Sequence, residues 1–403
     1  MPQWRILMEK INDLSTPCFI LDPKELERSV CGFQEALNSK FGNSIVGYSV
    51  KTNSVPFCLK CAGKLGAYAE VVSSDEYELA LACGFSKGNI IYNGPLKSKE
   101  TFIDAILHGA IVNIETKREL SWLKELPHNK KYNVGLRVNI NVSHVSPEDA
   151  DGENDNSRFG FSDETEELKD ALSFIEQIDN VELAGLHIHR TTHSRSVRFY
   201  KKSIEYACQT IKKYGLSINY LDVGGGFFGI FPNKPTYQQY SDAFYEVLSK
   251  FEMQNLCVIV EPGNALVASC FSFISEVIDV KHVEKELWFI TTNGSRNDID
   301  PFFKKSTYLC ETVDDNKNRD IAKEQIVSGC TCLEYDRMHT LKNKPLLSVG
   351  DRIVYNNVGA YTMCLSPMFI RYIPNIYIKN EDGFELIREK WTAQEHIVKN
   401  KFK

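Results

Sequence analysis

The chain has 403 residues, of which 43% are hydrophobic and 25% charged, an ordinary globular composition with enough length to bury a core without disulfide staples. A formal charge of -6 argues against non-specific nucleic-acid binding, which needs a basic face. No apolar run is long enough to span a membrane, and Met1 to Lys10 lacks the apolar core of a secretory signal, so a cytoplasmic protein is expected.

In chain order, a strand is expected at 17–22. Eight short apolar runs rich in β-branched residues follow, at 45–50, 67–72, 89–93, 110–114, 132–140, 181–189, 218–223 and 256–261. Strands buried on both faces read this way. Amphipathic segments lie between them, at 75–82, 99–108, 166–176, 197–213 and 237–251. Eight strands alternating with helices predict a (β/α)8 TIM-type barrel over residues 24–264. The polar stretch 143–157 has no periodicity and is expected to be a long loop. After Pro262 helical periodicity fades, and strands are expected at 273–280, 287–292, 321–328, 351–357, 369–379 and 384–388. Residues 265–403, joined by 1–23, therefore predict a second, mostly antiparallel β domain. From Lys390 onward the chain is polar and basic, as in a surface tail or short helix. The twelve cysteines are scattered, several inside apolar runs, as reduced buried thiols would be. Cys58 and Cys61 form a CxxC with no second pair at zinc-site spacing, so a redox role competes with a plain helix position.

A β/α barrel builds its active site at the C-terminal ends of its strands. The first strand ends in Val50-Lys51, where the amine either snorkels to solvent or faces a pocket as a Schiff-base amine. Glu70 lies on the second strand, and Asn93-Gly94 close the third. The sixth ends in His187-Ile188-His189, the seventh in Asp222 followed by Gly224-Gly225-Gly226, the eighth in Glu261-Pro262-Gly263. Three glycines let backbone N–H groups converge on an anion, or simply make a turn. Glu261 either partners a cationic ring nitrogen or is an exposed strand end. His187 and His189 share a strand face, which supports a rival: a metal-dependent barrel hydrolase with both as ligands. Lys51 and the glycine run have no task in that rival.

Taken together, these motifs resemble the fold-type III pyridoxal-phosphate decarboxylases, the diaminopimelate and ornithine decarboxylases and their relatives with an alanine racemase-like barrel. Tyr48-Ser49-Val50-Lys51-Thr52-Asn53 is similar to the cofactor-lysine motif YAVKAN, and Ala69-Glu70-Val71-Val72-Ser73 to the segment that puts an acid near the Schiff base. Ser157-Arg158-Phe159-Gly160 resembles S-K-F-G, and Gly185-Leu186-His187-Ile188-His189 resembles GxHxH, whose second histidine stacks on the ring. Asp222 to Phe227 resembles the phosphate-binding D-[IV]-G-G-G-[FL], and Glu261-Pro262-Gly263 the EPG motif. Gly329 to Asp336 resembles G-P-x-C-x-x-x-D, and Gly359-Ala360-Tyr361-Thr362 resembles GAYT, whose tyrosine approaches the cofactor phosphate.

The resemblance implies pyridoxal 5'-phosphate as cofactor. It implies Lys51, His189 and Cys332 as catalytic residues, Cys332 donating the proton that follows loss of carbon dioxide. Glu70, Arg158, His189, Gly224, Gly225, Gly226, Glu261, Gly263, Asn264 and Tyr361 join Lys51 in holding the cofactor. It also implies a homodimer in which the partner subunit supplies the segment around Cys332, an amino-acid substrate, and no nucleic-acid or membrane partner. Three positions depart from the pattern: Asn264 replaces the arginine of EPGR, Asp300-Pro301 stands where diaminopimelate decarboxylases have Arg-Pro, and Leu333 where they have a glutamate. Arg190-Thr191-Thr192 also replaces the usual I-G-S. A substrate other than meso-diaminopimelate is expected, a conjugated or carrier-bound amino acid among the candidates, with Arg296, Asp300, Glu334 and Asp336 as candidate contacts. An amino-acid racemase, which uses the same barrel and lysine, is the alternative; Cys332, Asp336 and Glu261 favour decarboxylation. A non-catalytic cofactor carrier would have the barrel alone.

Overall fold

A computed structural model describes residues 10–152, 155–313, 319–366 and 368–401. They form two compact units, one of Leu26–Leu266 and one of Met1–Glu25 with Val267–Lys403.

The first strand, β1 (Cys18–Leu21), belongs to the second unit and is buried along its whole length. The first unit is a closed barrel of eight strands: β2 (Ser44–Ser49), β3 (Tyr68–Ser73), β4 (Ile90–Leu96), β5 (Ile111–Ile114), β6 (Tyr132–Arg137), β7 (Val181–His187), β8 (Tyr220–Asp222) and β9 (Cys257–Val260). Every neighbour pair is parallel, and β2 closes on β9 with Ile45 opposite Ile259. The expected strands are all present, shifted by a residue or two or shortened at their ends, except that β4 runs three residues further, to Leu96.

Helices follow the strands where the amphipathic pattern put them, at Ser74–Ala82, Lys99–Leu107, Glu167–Glu176, Val197–Tyr214 and Tyr237–Lys250. Four of these five starts are written in the sequence as hydroxyl caps. Ser73, Ser98, Ser196 and Thr236 each accept a backbone N–H of the first turn, which satisfies a donor the helix itself leaves open. The glycine run after β8 is anchored by Phe227, fully buried against Tyr200 at a ring-centroid distance of 4.6 Å and Phe33 at 5.1 Å. Burying one such ring stabilises by roughly 1.5–3 kcal/mol, so the loop is held at its downstream end by packing.

The second unit carries a nine-stranded sheet made of β1 with β10 (Phe271–Glu284), β11 (Leu287–Thr292), β12 (Leu309–Val313), β13 (Ile321–Ser328), β14 (Arg337–Pro345), β15 (Arg352–Asn356), β16 (Asn375–Lys379) and β17 (Phe384–Arg388). Most pairs are antiparallel; β1 with β16 and β11 with β13 are parallel. Strand β1 pairs into this sheet as expected. Two strands, β12 and β14, were not expected. The strand expected over 369–379 begins only at Asn375, because Ile370 has φ +70 and Pro374 lacks an N–H.

The expected loop 143–157 contains the short helical turns Val142–Val145 and Pro147–Asp149, and its residues 153 and 154 lie outside the described residues. Residues 1–9 of the N-terminal stretch and 402–403 of the tail lie outside them as well; the tail forms the exposed helix Ala393–Ile397. No helix among the described residues is long and apolar enough to cross a membrane. The described cysteines form no disulfide. Cys58 and Cys61 sit in the helix Pro56–Lys64, and burial raises the Cys61 thiol, the opposite of what a reactive thiolate needs.

Candidate active site

The C-terminal ends of the barrel strands gather the residues singled out in the barrel sequence. Lys51 follows β2 in the turn Val50–Thr52, and its Nζ lies 2.6 Å from Glu70 Oε2 on β3. Glu70 is 1% exposed and also accepts from Ser49 Oγ at 2.6 Å and Asn93 Nδ2 at 3.2 Å. Glu261, after β9, is 4% exposed and accepts from Asn93 Nδ2 at 2.5 Å. Asn93 thus ties the carboxylate beside the lysine to the carboxylate of the last strand.

His187 and His189 end the β7 segment with rings nearly parallel, 6.1 Å between centroids. Burial, reinforced by the Arg137 charge, holds both well below the usual histidine range, so both are neutral imidazoles at physiological pH. His189 Nδ1 accepts the Gly225 N–H at 3.0 Å, and its Nε2 lies 3.4 Å from Thr191 Oγ1. The rival metal reading pairs His187 and His189 as ligands; here the His189 Nδ1 lone pair is taken by the Gly225 N–H. Among the described residues, His187, Asp222 and Glu261 have ligand atoms within 4.8 Å of one another. Within this group, burial and then the Glu261 charge raise Asp222 well above the carboxylate range.

The glycine run is shaped by close approach. Gly224 has φ +75, and a Cβ there would come within 2.4 Å of His189 Cβ; one on Gly225 would come within 2.3 Å of the Glu261 carbonyl oxygen. The Gly224 N–H is bonded to Asp222 Oδ1 at 3.0 Å. Thr191 Oγ1 lies 3.2 Å from the position a Gly226 Cβ would take, which places a hydroxyl beside the last glycine. Gly263 is pressed against Thr52, beside Lys51, and Asn264 opens the short helix Asn264–Val267. Arg158 is exposed and stacked over Phe159 at 4.6 Å. An amine, a buried carboxylate, a flat neutral imidazole and a glycine bend with no room for a Cβ fit an aromatic aldehyde that bears a ring nitrogen and a phosphate.

In the β domain the candidates are more committed to one another than the sequence suggested. Arg296 donates to Asp300 Oδ2 from Nε at 3.1 Å and Nη2 at 2.9 Å, and that carboxylate also accepts from the Lys304 and Lys305 N–H groups and Tyr308. Asp336 is 2% exposed and caps the backbone N–H groups of Arg296 and Thr331 and the Thr331 hydroxyl. Both acids organise their own loops. Cys332 and Glu334 are exposed, and Tyr361 is 39% exposed with φ +54.

Sequence reasoning gave no role to Asn113, Tyr220 or Thr191. For Asn113 the signal was present: a polar residue inside the apolar run Ile111-Val112-Asn113-Ile114 must find partners if buried.

Comparison with known proteins bears on this cluster directly. The sequence profile described as "Pyridoxal-dependent decarboxylase, pyridoxal binding domain" matches residues 25–268, more than half of the chain. A probable chloroplastic diaminopimelate decarboxylase of Oryza sativa is 28% identical over 382 residues, covering 91% of this chain and 76% of its own. The diaminopimelate decarboxylase of Aquifex aeolicus is 24% identical over 370 residues, covering 89% and 85%. In structure, the chain is similar to the diaminopimelate decarboxylase of M. jannaschii (TM-score 0.85, 22% identity, 98% and 94% covered). It is also similar to the arginine decarboxylase of Paramecium bursaria Chlorella virus (TM-score 0.78, 21% identity, 94% and 100% covered). The matched segment contains the lysine, both histidines, the glycine run and Glu261, and the chain belongs to the fold-type III pyridoxal-dependent decarboxylase family, whose cofactor is pyridoxal phosphate.

Proposed function

We propose that the chain removes the carboxylate α to the amine of an amino acid other than meso-diaminopimelate, working as a cytoplasmic homodimer with Lys51 as the cofactor lysine. One observation carries the decarboxylase assignment: Lys51, Glu70, Asn93 and Glu261 form one continuous hydrogen-bonded chain at the barrel's strand ends. Bound pyridoxal phosphate supplies an electron sink for the charge left when carbon dioxide departs. Glu261 would hold a proton on the ring nitrogen, which keeps that sink effective. His189, fixed by the Gly225 N–H, would lie flat against the ring. Gly224, Gly225, Gly226, Gly263, Asn264 and the Thr191 hydroxyl would hold the phosphate, with Arg158 and Tyr361 assigned there by family resemblance alone. Cys332, in the partner-subunit arrangement that resemblance implies, would deliver the proton to the reacting carbon.

The substrate assignment rests on Asp300. An acid stands where diaminopimelate decarboxylases carry an arginine, and its carboxylate is filled by the Arg296 guanidinium and two backbone N–H groups. A second acidic group on a substrate would face the Asp300 carboxylate there and not an arginine, and leaving it unmatched costs about 1–3 kcal/mol. Leu333 in place of a glutamate removes an acceptor for a distal amine. A viral protein of similar fold is named for arginine, which supports a substrate other than meso-diaminopimelate. The test is a panel of amino acids and amino-acid conjugates assayed for carbon dioxide and, in parallel, for enantiomer interconversion. Carbon dioxide from a substrate other than meso-diaminopimelate is expected. Efficient turnover of meso-diaminopimelate to lysine overturns the substrate claim, and racemisation without carbon dioxide overturns the decarboxylase claim.

A further inference from the structure

Beneath the strand ends the barrel interior contains a second polar layer. Tyr220 on β8 donates its hydroxyl to Asn113 Oδ1 at 2.9 Å. Asn113 on β5 donates from Nδ2 to Asn93 Oδ1 at 2.9 Å and to Asp222 Oδ2 at 3.0 Å. Asn93 on β4 then donates to Glu261 Oε1 and Glu70 Oε1. Tyr220 is 8% exposed, Asn113 0%, Asn93 2% and Asp222 0%, so water does not substitute for these partners.

The bonds have one self-consistent direction. Burial raises the Tyr220 phenol well above its ordinary range, so it remains a donor. Its O–H fixes the oxygen of the Asn113 amide, which turns the NH2 toward Asn93 and Asp222. That in turn fixes the oxygen of Asn93 and turns its NH2 onto the two carboxylates. Reversing either amide would set oxygen against oxygen in a buried site, where an unmatched polar group is costly.

Space has been cleared for this layer. A Cβ on Gly135 of β6 would lie 2.0 Å from Asn113 Oδ1 and 2.1 Å from the Tyr220 hydroxyl, and one on Gly185 of β7 would lie 2.3 Å from the Tyr220 ring. Glycine inside a strand weakens it and marks a site of close approach. Two neighbouring strands give up a side chain to admit one tyrosine and one amide.

We infer that Tyr220, Asn113 and Asn93 are positioning residues, an interior amide relay that fixes Glu261 as an oriented carboxylate toward the cofactor's ring nitrogen. None of the three is needed to touch the substrate. The inference rests on the proposed function, in which Glu261 partners that nitrogen. The titratable and charged groups around Glu261 are His187, whose Nε2 is 3.4 Å from Oε2, with Asp222, Glu70, Lys51, His189 and Tyr220.

The test is a pH titration of the bound-cofactor absorbance in the full-length wild type, Asn113→Ala and Tyr220→Phe, with cofactor affinity measured by fluorescence titration. A less firmly held Glu261 holds the ring-nitrogen proton less well. The alkaline midpoint is expected to fall by about one unit in Asn113→Ala and by a smaller shift of the same sign in Tyr220→Phe. Cofactor affinity is expected to weaken about tenfold in Asn113→Ala. Tyr220→Phe preserves volume and carries the test should Asn113→Ala not fold. Variants that bind cofactor and melt at lower temperature, with the midpoint unmoved, overturn the relay and leave the decarboxylase assignment standing. A wild type that takes up no pyridoxal phosphate overturns both.

Discussion

Replacing Gly224 by alanine should separate the cofactor cradle from ordinary fold stability. Gly224 has φ +75, and an L-residue there costs roughly 1–2 kcal/mol. The added Cβ would meet His189 Cβ at 2.4 Å, Nδ1 at 2.5 Å and Cγ at 2.7 Å. Carbon atoms settle at about 3.5–4.0 Å, so the imidazole must retreat by about 1 Å. That breaks the 3.0 Å bond from the Gly225 N–H to His189 Nδ1, a further loss of roughly 0.5–1.5 kcal/mol. The sum, about 1.5–3.5 kcal/mol, corresponds to cofactor binding weakened by about 10- to 350-fold where the loss is expressed in binding. The assay is titration of the apo chain with pyridoxal phosphate, followed by absorbance, alongside thermal melts. Gly215→Ala is the control: it too has positive φ, +61, but no heavy atom lies within 4 Å of its added Cβ. It should lower the melting temperature and leave cofactor affinity unchanged. Wild-type affinity in Gly224→Ala would refute the cradle geometry.

Three further outcomes are expected. Lys51→Ala should abolish both the cofactor absorbance band and carbon dioxide release; retention of either in the purified variant contradicts the assignment. Lys97→Met should destabilise by about 3–5 kcal/mol in chemical denaturation, because Glu119 is 0% exposed and would be left as an unpaired buried charge; the double variant Lys97→Met, Glu119→Leu should recover most of that loss. Burial pushes Glu76 up from 4.5 to about 7, with the neighbouring Glu70 charge adding to the shift. The folded chain therefore holds a proton that the unfolded chain gives up, and this group makes stability fall as pH rises from 4.5 to about 7. Glu76→Gln should flatten that part of the stability profile in melts across the window, and an unchanged slope would show the shift to be absent.

The barrel was legible because its strands are buried on both faces and read as apolar runs bounded by turn residues. Strands β12 and β14 were not, for the opposite reason. Arg337–Pro345 reads RMHTLKNKP and is exposed along most of its length, so it is a strand by backbone pairing with β13 and not by side-chain pattern. At the site, Lys51, Glu70, His189 and Glu261 were legible because a charge or imidazole closing an apolar strand stands out, and because their motifs recur in a known family. Asn113 and Tyr220 were not. Their significance lies in a hydrogen bond across the barrel interior between strands more than 100 residues apart, 107 positions in sequence. Asp300 and Asp336 carry hydrogen bonds that the sequence did not reveal. Asp300 stands at an altered motif and Asp336 at a matching one, and each carboxylate accepts hydrogen bonds from its own loop, a pairing set by loop geometry and not by residue type.

Treating the cofactor-loaded chain with borohydride and mapping the peptides by mass tests the central claim most directly. A pyridoxyl group on the peptide containing Lys51, and on no other lysine, is the predicted result. A label on a different lysine, or no label on a chain that demonstrably binds pyridoxal phosphate, would contradict it.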